Sequence, residues 1–179
     1  MGGSRRALLA VLSVLVVATL IGLWHHRGRS PARRGVRLTS ELAEAWAAAS
    51  RADDVAAALK RAGSGSFGPN LADPQAVRSA GRNPDVDRAV RAHGFRSGEQ
   101  WAEVTVKMVA VSLADALPAM QAKSEGAAQG NEELGAAMDK AFTETGAWVE
   151  ATVAAMSRDE VDAARRANQA ASQPLSAVR

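Results

Sequence analysis

From Ala7 to Trp24 the chain reads ALLAVLSVLVVATLIGLW, eighteen residues without a charge. As a helix this run spans about 27 Å, close to the hydrocarbon thickness of a bilayer. Arg5 and Arg6 precede it, and Trp24, His25 and His26 follow as interfacial anchors. Three structures accommodate such a run: an uncleaved anchor, a cleaved signal peptide, or a helix buried in a soluble fold. No small-x-small site closes it. The best internal candidate, Val16-Val17-Ala18, would leave Leu20, Ile21, Leu23 and Trp24 on the mature end. The expectation is therefore an uncleaved single span, with membrane contact through residues 7–24. Ser4-Arg5-Arg6-Ala7-Leu8-Leu9 also resembles a twin-arginine export signal, but with a more apolar run than such signals carry.

Charge divides sharply along the chain. Residues 1–37 contain seven arginines and no acid, which leaves 15 bases against 19 acids in residues 38–179. The remainder is net negative, so the electrostatic reason for nucleic-acid binding is absent and none is expected. The arginines flank the apolar segment, where they meet anionic head groups.

Much of the apolar content is alanine, and the whole sequence has four tryptophans, three phenylalanines and no tyrosine. Close-packed helices suit this composition better than a sheet of aromatic and β-branched residues. The predicted fold is all-α: an irregular bundle of five or six helices, preceded by an N-terminal transmembrane or signal helix. Its divisions are residues 1–26 as anchor or signal, 27–38 as basic linker, 39–171 as helical domain and 172–179 as flexible tail.

Capping signals mark the elements. Thr39 or Ser40 opens a helix or broken pair over 40–62, with Leu42 and Trp46 on one face and Val55 and Leu59 repeating the spacing. Gly63 to Pro74 reads as a loop. Asn83-Pro84 caps a short helix to His93, with Val86 and Val90 inward, and Gly94 ends it. Ser97 and Gln100 form a capping-box pattern for a helix over 98–117. Its stripe is Trp101, Val104, Met108, Val111 and Ala114, and Pro118 interrupts it. A further segment leads to Gly126 and Gly130. Asn131 caps a long helix striped with Leu134, Met138, Phe142, Val149, Val153 and Met156. A second capping box, Ser157 with Glu160, opens the last helix to about Ala171.

Asn83-Pro84-Asp85-Val86, His93-Gly94-Phe95-Arg96-Ser97 and Trp101 resemble a pattern in uncharacterised small helical proteins of Gram-negative envelopes. The resemblance covers about a third of the chain, as a helix–turn–helix corner. It implies fold and address but no activity. The second helix of that corner carries Trp101, Val104 and Met108, which suit a core rather than a major groove.

No chemical motif survives its context. Gly63-Ser64-Gly65-Ser66-Phe67-Gly68 matches G-x-G-x-x-G, yet it follows a helix and precedes Pro69, which favours a linker. With no cysteine and histidines only at 25, 26 and 93, neither a disulfide nor a converging metal set is expected. His93 suits a helix C-terminus. Asp53-Asp54, Glu132-Glu133 and Asp159-Glu160 fall at helix starts, where they complement the macrodipole and should be solvated. Arg78, Arg82, Arg88, Arg91 and Arg96 read as a solvated basic face. No catalytic residue, cofactor or metal site is predicted.

The expected role is that of a non-enzymatic, membrane-tethered binding, scaffold or accessory domain of the cell envelope, with another envelope protein as partner. The alternative is a periplasmic small-ligand or lipid-binding protein with an apolar cavity between helices. Trp101, Trp148, Arg88 and Arg91 are the candidate contacts, the tryptophans being core candidates first. Five arginines between Arg27 and Arg37 argue for a cytoplasmic domain, whereas a short anchor led by Arg-Arg argues for export. The envelope resemblance tips the expectation to an inner-membrane protein with a periplasmic domain, the alternative being a cleaved, soluble periplasmic one.

Overall fold

A computed structural model describes residues 35–63, 71–127 and 132–172. Within them are seven helices and no strand. These are α1 (Ser40–Ala49), α2 (Asp53–Ala62), α3 (Pro74–Gly81), α4 (Pro84–Ala92), α5 (Gly98–Ala127), α6 (Glu132–Ala154) and α7 (Arg158–Ser172). The run Ala7–Trp24, most of the glycine-rich segment, Asn131 and the tail from residue 173 lie outside the described residues. No helix of the described residues is long and apolar enough to cross a membrane. The chain divides into a larger unit, up to Asp115 and again from Trp148, and a smaller one containing Ala116–Ala147.

In the larger unit the helix ends follow local chemistry. Thr39 Oγ1 accepts from the Leu42 amide at 3.3 Å, capping α1. α1 stops at Ala49, and Asp53 and Asp54 begin α2, which ends with Lys60 and Arg61 in its last turn. Both ends of α2 thus complement the helix dipole.

Asp73 and Pro74 open α3 just as Asn83 and Pro84 open α4: each cap oxygen accepts an amide two residues on, at 2.8 and 2.9 Å. The predicted loop therefore ends in a helix of eight residues, burying Val77 and Ala80. Sequence periodicity does not reveal this helix, because Val77 is its one large apolar residue, too little to make a stripe.

The end of α4 is a Schellman motif. The Phe95 amide donates to the Val90 carbonyl at 3.3 Å and the Gly94 amide to the Arg91 carbonyl at 3.2 Å. Gly94 sits at φ +92, a conformation L side chains rarely adopt, and Phe95 turns into the core.

α5 differs from the expected stripe in two ways. It continues through Pro118 to Ala127, thirty residues in all. Proline removes one helical hydrogen bond, to the Ala114 carbonyl. Pro118 is exposed and Ala114 only half-buried, so water can serve that carbonyl. The second difference matters more: every residue from Trp101 to Met108 is buried. A helical stretch buried on all faces is an axis of the larger unit, not an amphipathic wall.

α1 and α7 pack on each other, as do α2 with α4 and α3 with α4. Ala43 and Ala47 on α1, and Ala163, Ala164 and Ala167 on α7, are buried. Small side chains let helix axes approach, which is how an alanine-rich sequence builds a dense interior from few large residues. In the smaller unit Leu117, Met138, Ala141 and Phe142 are buried.

Candidate functional site

Burying the Trp101–Met108 stretch of α5 on all sides also buries its three polar residues, Glu103, Thr105 and Lys107, and each finds a partner on a different element. Thr105 Oγ1 accepts from Trp46 Nε1 of α1 at 3.0 Å. Glu103 receives Arg78 of α3 at 2.7 and 3.3 Å. Lys107 donates to Glu160 of α7 at 2.6 Å. Such matching is what makes burial of polar groups tolerable in a core.

The most elaborate of these clusters begins as a helix cap. Ser157 Oγ accepts the Glu160 amide at 3.3 Å, and Glu160 Oε2 accepts the Ser157 amide at 2.9 Å, the reciprocal capping box that the spacing predicts. The free oxygen, Oε1, takes Lys107 and also the Leu38 amide at 2.8 Å. Lys107 in turn donates to the Val36 carbonyl at 2.7 Å. The extended segment ahead of α1 is thereby stitched to α5 and α7 through one ion pair whose side chains are 8% and 9% exposed.

The expectation that Asp159-Glu160 is solvated therefore fails for Glu160, although Asp159 remains exposed. Burial pushes the Glu160 carboxyl up, but the Leu38 amide, the Lys107 ammonium and the Ser157 amide outweigh it and hold its pKa at about 2. A carboxylate ionised so far below neutrality, with both oxygens engaged, is poorly matched to general acid–base work.

Arg78 departs from the predicted solvated basic face in the same way: its side chain is 13% exposed and it forms an ion pair with Glu103. Arg88 and Arg91 do lie on the surface of α4, joined to Asp85 at 3.2 Å and Asp87 at 2.7 Å. Asp87 also accepts the Gly98 amide at 2.6 Å. The Arg91 side chain first, then that amide, lowers the Asp87 pKa.

His93 Nε2 lies 3.0 Å from Asp54 Oδ1, tying the end of α4 to the start of α2. The contact holds the Asp54 carboxyl below its usual range. Among the described residues no three histidine, aspartate or glutamate side chains are grouped to hold a metal.

Trp101 and Trp148 are 2% and 5% exposed, both part of the core. Two shallow grooves border the N-terminal segment. One, of about 310 Å³, is lined by Gly35, Val36, Arg78, Arg82, Ser97 and Gln100 among others. The other, of about 380 Å³, includes Leu38, Thr39, Glu41, Asp162 and Arg166. Neither tryptophan lines either groove, and Arg88 and Arg91 line neither. Leu71 is the one large hydrophobic side chain counted as exposed among the described residues.

Compared with known protein families, curated proteins and solved structures, the chain shows no match. What the tertiary structure brings together is thus read from its own chemistry: a polar lattice that fastens three elements and the incoming chain to one central helix. Sequence reading missed this lattice, although two charged residues and a threonine inside an apolar stretch, Glu103, Thr105 and Lys107, were its visible sign.

The Trp46–Thr105 bond makes a direct test. Thr105→Val keeps the shape but removes the acceptor, and should cost about 1–3 kcal/mol by leaving the indole N–H without its partner. Thr105→Ser should cost less. Urea unfolding of the three proteins checks the order, and equal midpoints for valine and wild type would show that the bond contributes nothing.

Proposed function

We propose that this protein is a non-enzymatic, membrane-tethered domain of the bacterial envelope, held by an uncleaved helix at Ala7–Trp24 and serving as a binding, scaffold or accessory module. The domain faces the periplasm, and its partner is another envelope protein. One observation carries the reading: the chain emerging from the arginine-rich linker is fixed to the interior by backbone bonds from Val36 and Leu38 to the buried Lys107–Glu160 pair. A tether joined in this manner delivers its domain at a defined point while these bonds are made. The eighteen uncharged residues and their arginine flanks give that tether its membrane chemistry. The ionisable groups of the interior support a structural role, because the carboxylates of Glu103 and Glu160 are committed to Arg78 and Lys107.

Fractionation of cells expressing the full chain tests the tether. The protein is expected in the membrane pellet, resistant to alkaline and high-salt washing, with an intact mass that retains the N-terminal segment. A soluble product beginning near Thr19 would sink the anchor. Protease added to spheroplasts is expected to degrade the domain, and protection would reverse the orientation.

A further inference from the structure

We infer that Val36–Leu38 is a detachable strap, a clasp that opens without unfolding the helices and lengthens the tether when it does. The inference rests on the tethered reading above for its biological setting, but the clasp itself stands on the geometry of the described residues.

Four observations converge. The strap is hydrogen-bonded to the core at two points, the Val36 carbonyl to Lys107 at 2.7 Å and the Leu38 amide to Glu160 at 2.8 Å, and both lead to the same ion pair. It is not roofed over: the groove lined by Gly35 and Val36 and the groove lined by Arg37, Leu38 and Thr39 both border it. Gly35, at its upstream end, has nothing within 4 Å of the position a Cβ would take, so the chain can pivot there. At its downstream end α1 has its own cap, because Thr39 Oγ1 accepts the Leu42 amide and the Thr39 carbonyl accepts the Ala43 amide. Lifting the strap therefore removes no hydrogen bond from inside α1.

What resists opening is the Leu38 side chain, 2% exposed, together with the two charge-assisted bonds, while the Arg37–Asp159 pair, 4.0 Å apart and exposed on both sides, adds little. This is far less than the interior of α5 would lose, so strap opening falls between end fraying and global unfolding. When seated, the pivot between linker and domain lies at Gly35. When open, it moves to Thr39, adding about 14 Å of reach for the four extended steps between them. Opening also exposes the Lys107 ammonium and the Glu160 carboxylate, which the strap otherwise covers. The domain thus has two stand-off distances from its tether, and the Lys107–Glu160 pair sets the balance.

Arg37 supplies a convenient reporter. Its side chain is 74% exposed, yet the following amide is held by Glu160, so trypsin can cut after Arg37 only when the strap lifts. The experiment uses the full chain in detergent micelles, with hydrogen exchange and tryptic cleavage followed by mass spectrometry. In wild type the Leu38 amide should exchange at least about tenfold faster than those of Val104–Met108, with weak denaturant dependence, and at least about tenfold slower than an unstructured amide. Leu38→Ala should speed cleavage after Arg37 by about tenfold while exchange across Val104–Met108 stays unchanged. Equal rates and denaturant slopes for Leu38 and Val104–Met108 in wild type would overturn the clasp, since the strap would then open only with the whole domain. Exchange of Leu38 at the unstructured rate would overturn it from the other side. Flotation of the same protein with lipid vesicles is scored separately: failure to float rejects the membrane tether and leaves the exchange result standing.

Discussion

Glu160→Ala is expected to destabilise the domain by about 3–5 kcal/mol, the usual consequence of removing one member of a buried ion pair. Three donors lose their acceptor together: the Lys107 ammonium, the Leu38 amide and the Ser157 amide. Against a total stability of about 5–15 kcal/mol for a typical domain, this leaves a fold close to its threshold. Urea unfolding of the full chain, followed by tryptophan fluorescence, measures the loss. A value below about 1 kcal/mol would mean that the pair is a bystander. The double variant Lys107→Met/Glu160→Leu should lose less than the sum of its two single variants, because it leaves no uncompensated charge in the interior.

The same carboxylate gives the domain an acid limit. Glu160 has its pKa lowered from 4.5 to about 2 in the folded state. A depressed folded pKa contributes stability that is complete above the unfolded value and is lost as pH falls through the folded one. The window therefore runs from about pH 4.5 down to about pH 2, and the contribution lost across it is about 3 kcal/mol. The difference in unfolding free energy between wild type and Glu160→Ala should narrow over that window. A difference that stays constant with pH would contradict the linkage.

The second large effect belongs to a backbone crossing. Gly98→Ala, at the start of α5, places its methyl against the Gly81 carbonyl oxygen, with the carbonyl carbon at 3.0 Å and the Asp87 Cα at 3.2 Å. Gly81→Ala meets the Gly98 carbonyl oxygen and, at 2.8 Å, the Ala102 Cβ. These obstacles are main-chain atoms and a methyl on the chain itself, so no rotamer change relieves them and α3 must move off α5. Each substitution is expected to cost about 3 kcal/mol, at the upper end of ordinary overpacking penalties, despite alanine's better helix propensity. Gly146→Ala is the control, because no atom lies within 4 Å of its Cβ position. There alanine should stabilise by about 0.5–1 kcal/mol. Thermal unfolding of the three variants separates the cases, and a Gly98→Ala protein as stable as wild type would refute the crossing.

Local and tertiary information part at identifiable residues of this chain. The corner from Asn83 to Gln100 was readable in detail: a cap with proline behind it, a glycine in the left-handed region, Phe95 folded inward, and Ser97 accepting the Gln100 amide at 3.1 Å. Each of its caps joins residues a few positions apart, so sequence order supplies their geometry. The same signal is present at Asp73-Pro74, but α3 has too few apolar residues to repeat, so the local composition favours a loop there. The reciprocal bonds of Ser157 with Glu160 were likewise legible, but only half of what Glu160 does is a cap.

Its other oxygen is met from residues 53 and 122 positions away, and no spacing rule connects such distances. Local order along the sequence dictates that the described residues are helical, where most of those helices start and stop, and that positive charge crowds the first 37 residues. Tertiary structure alone decided that the stretch of α5 from Trp101 to Met108 is enclosed on every face. With that, it decided that Glu103, Lys107 and Glu160 leave water. The physical reason is that capping and turn formation are settled within one helical turn, whereas burial of a charge is settled by whichever distant partner arrives to match it.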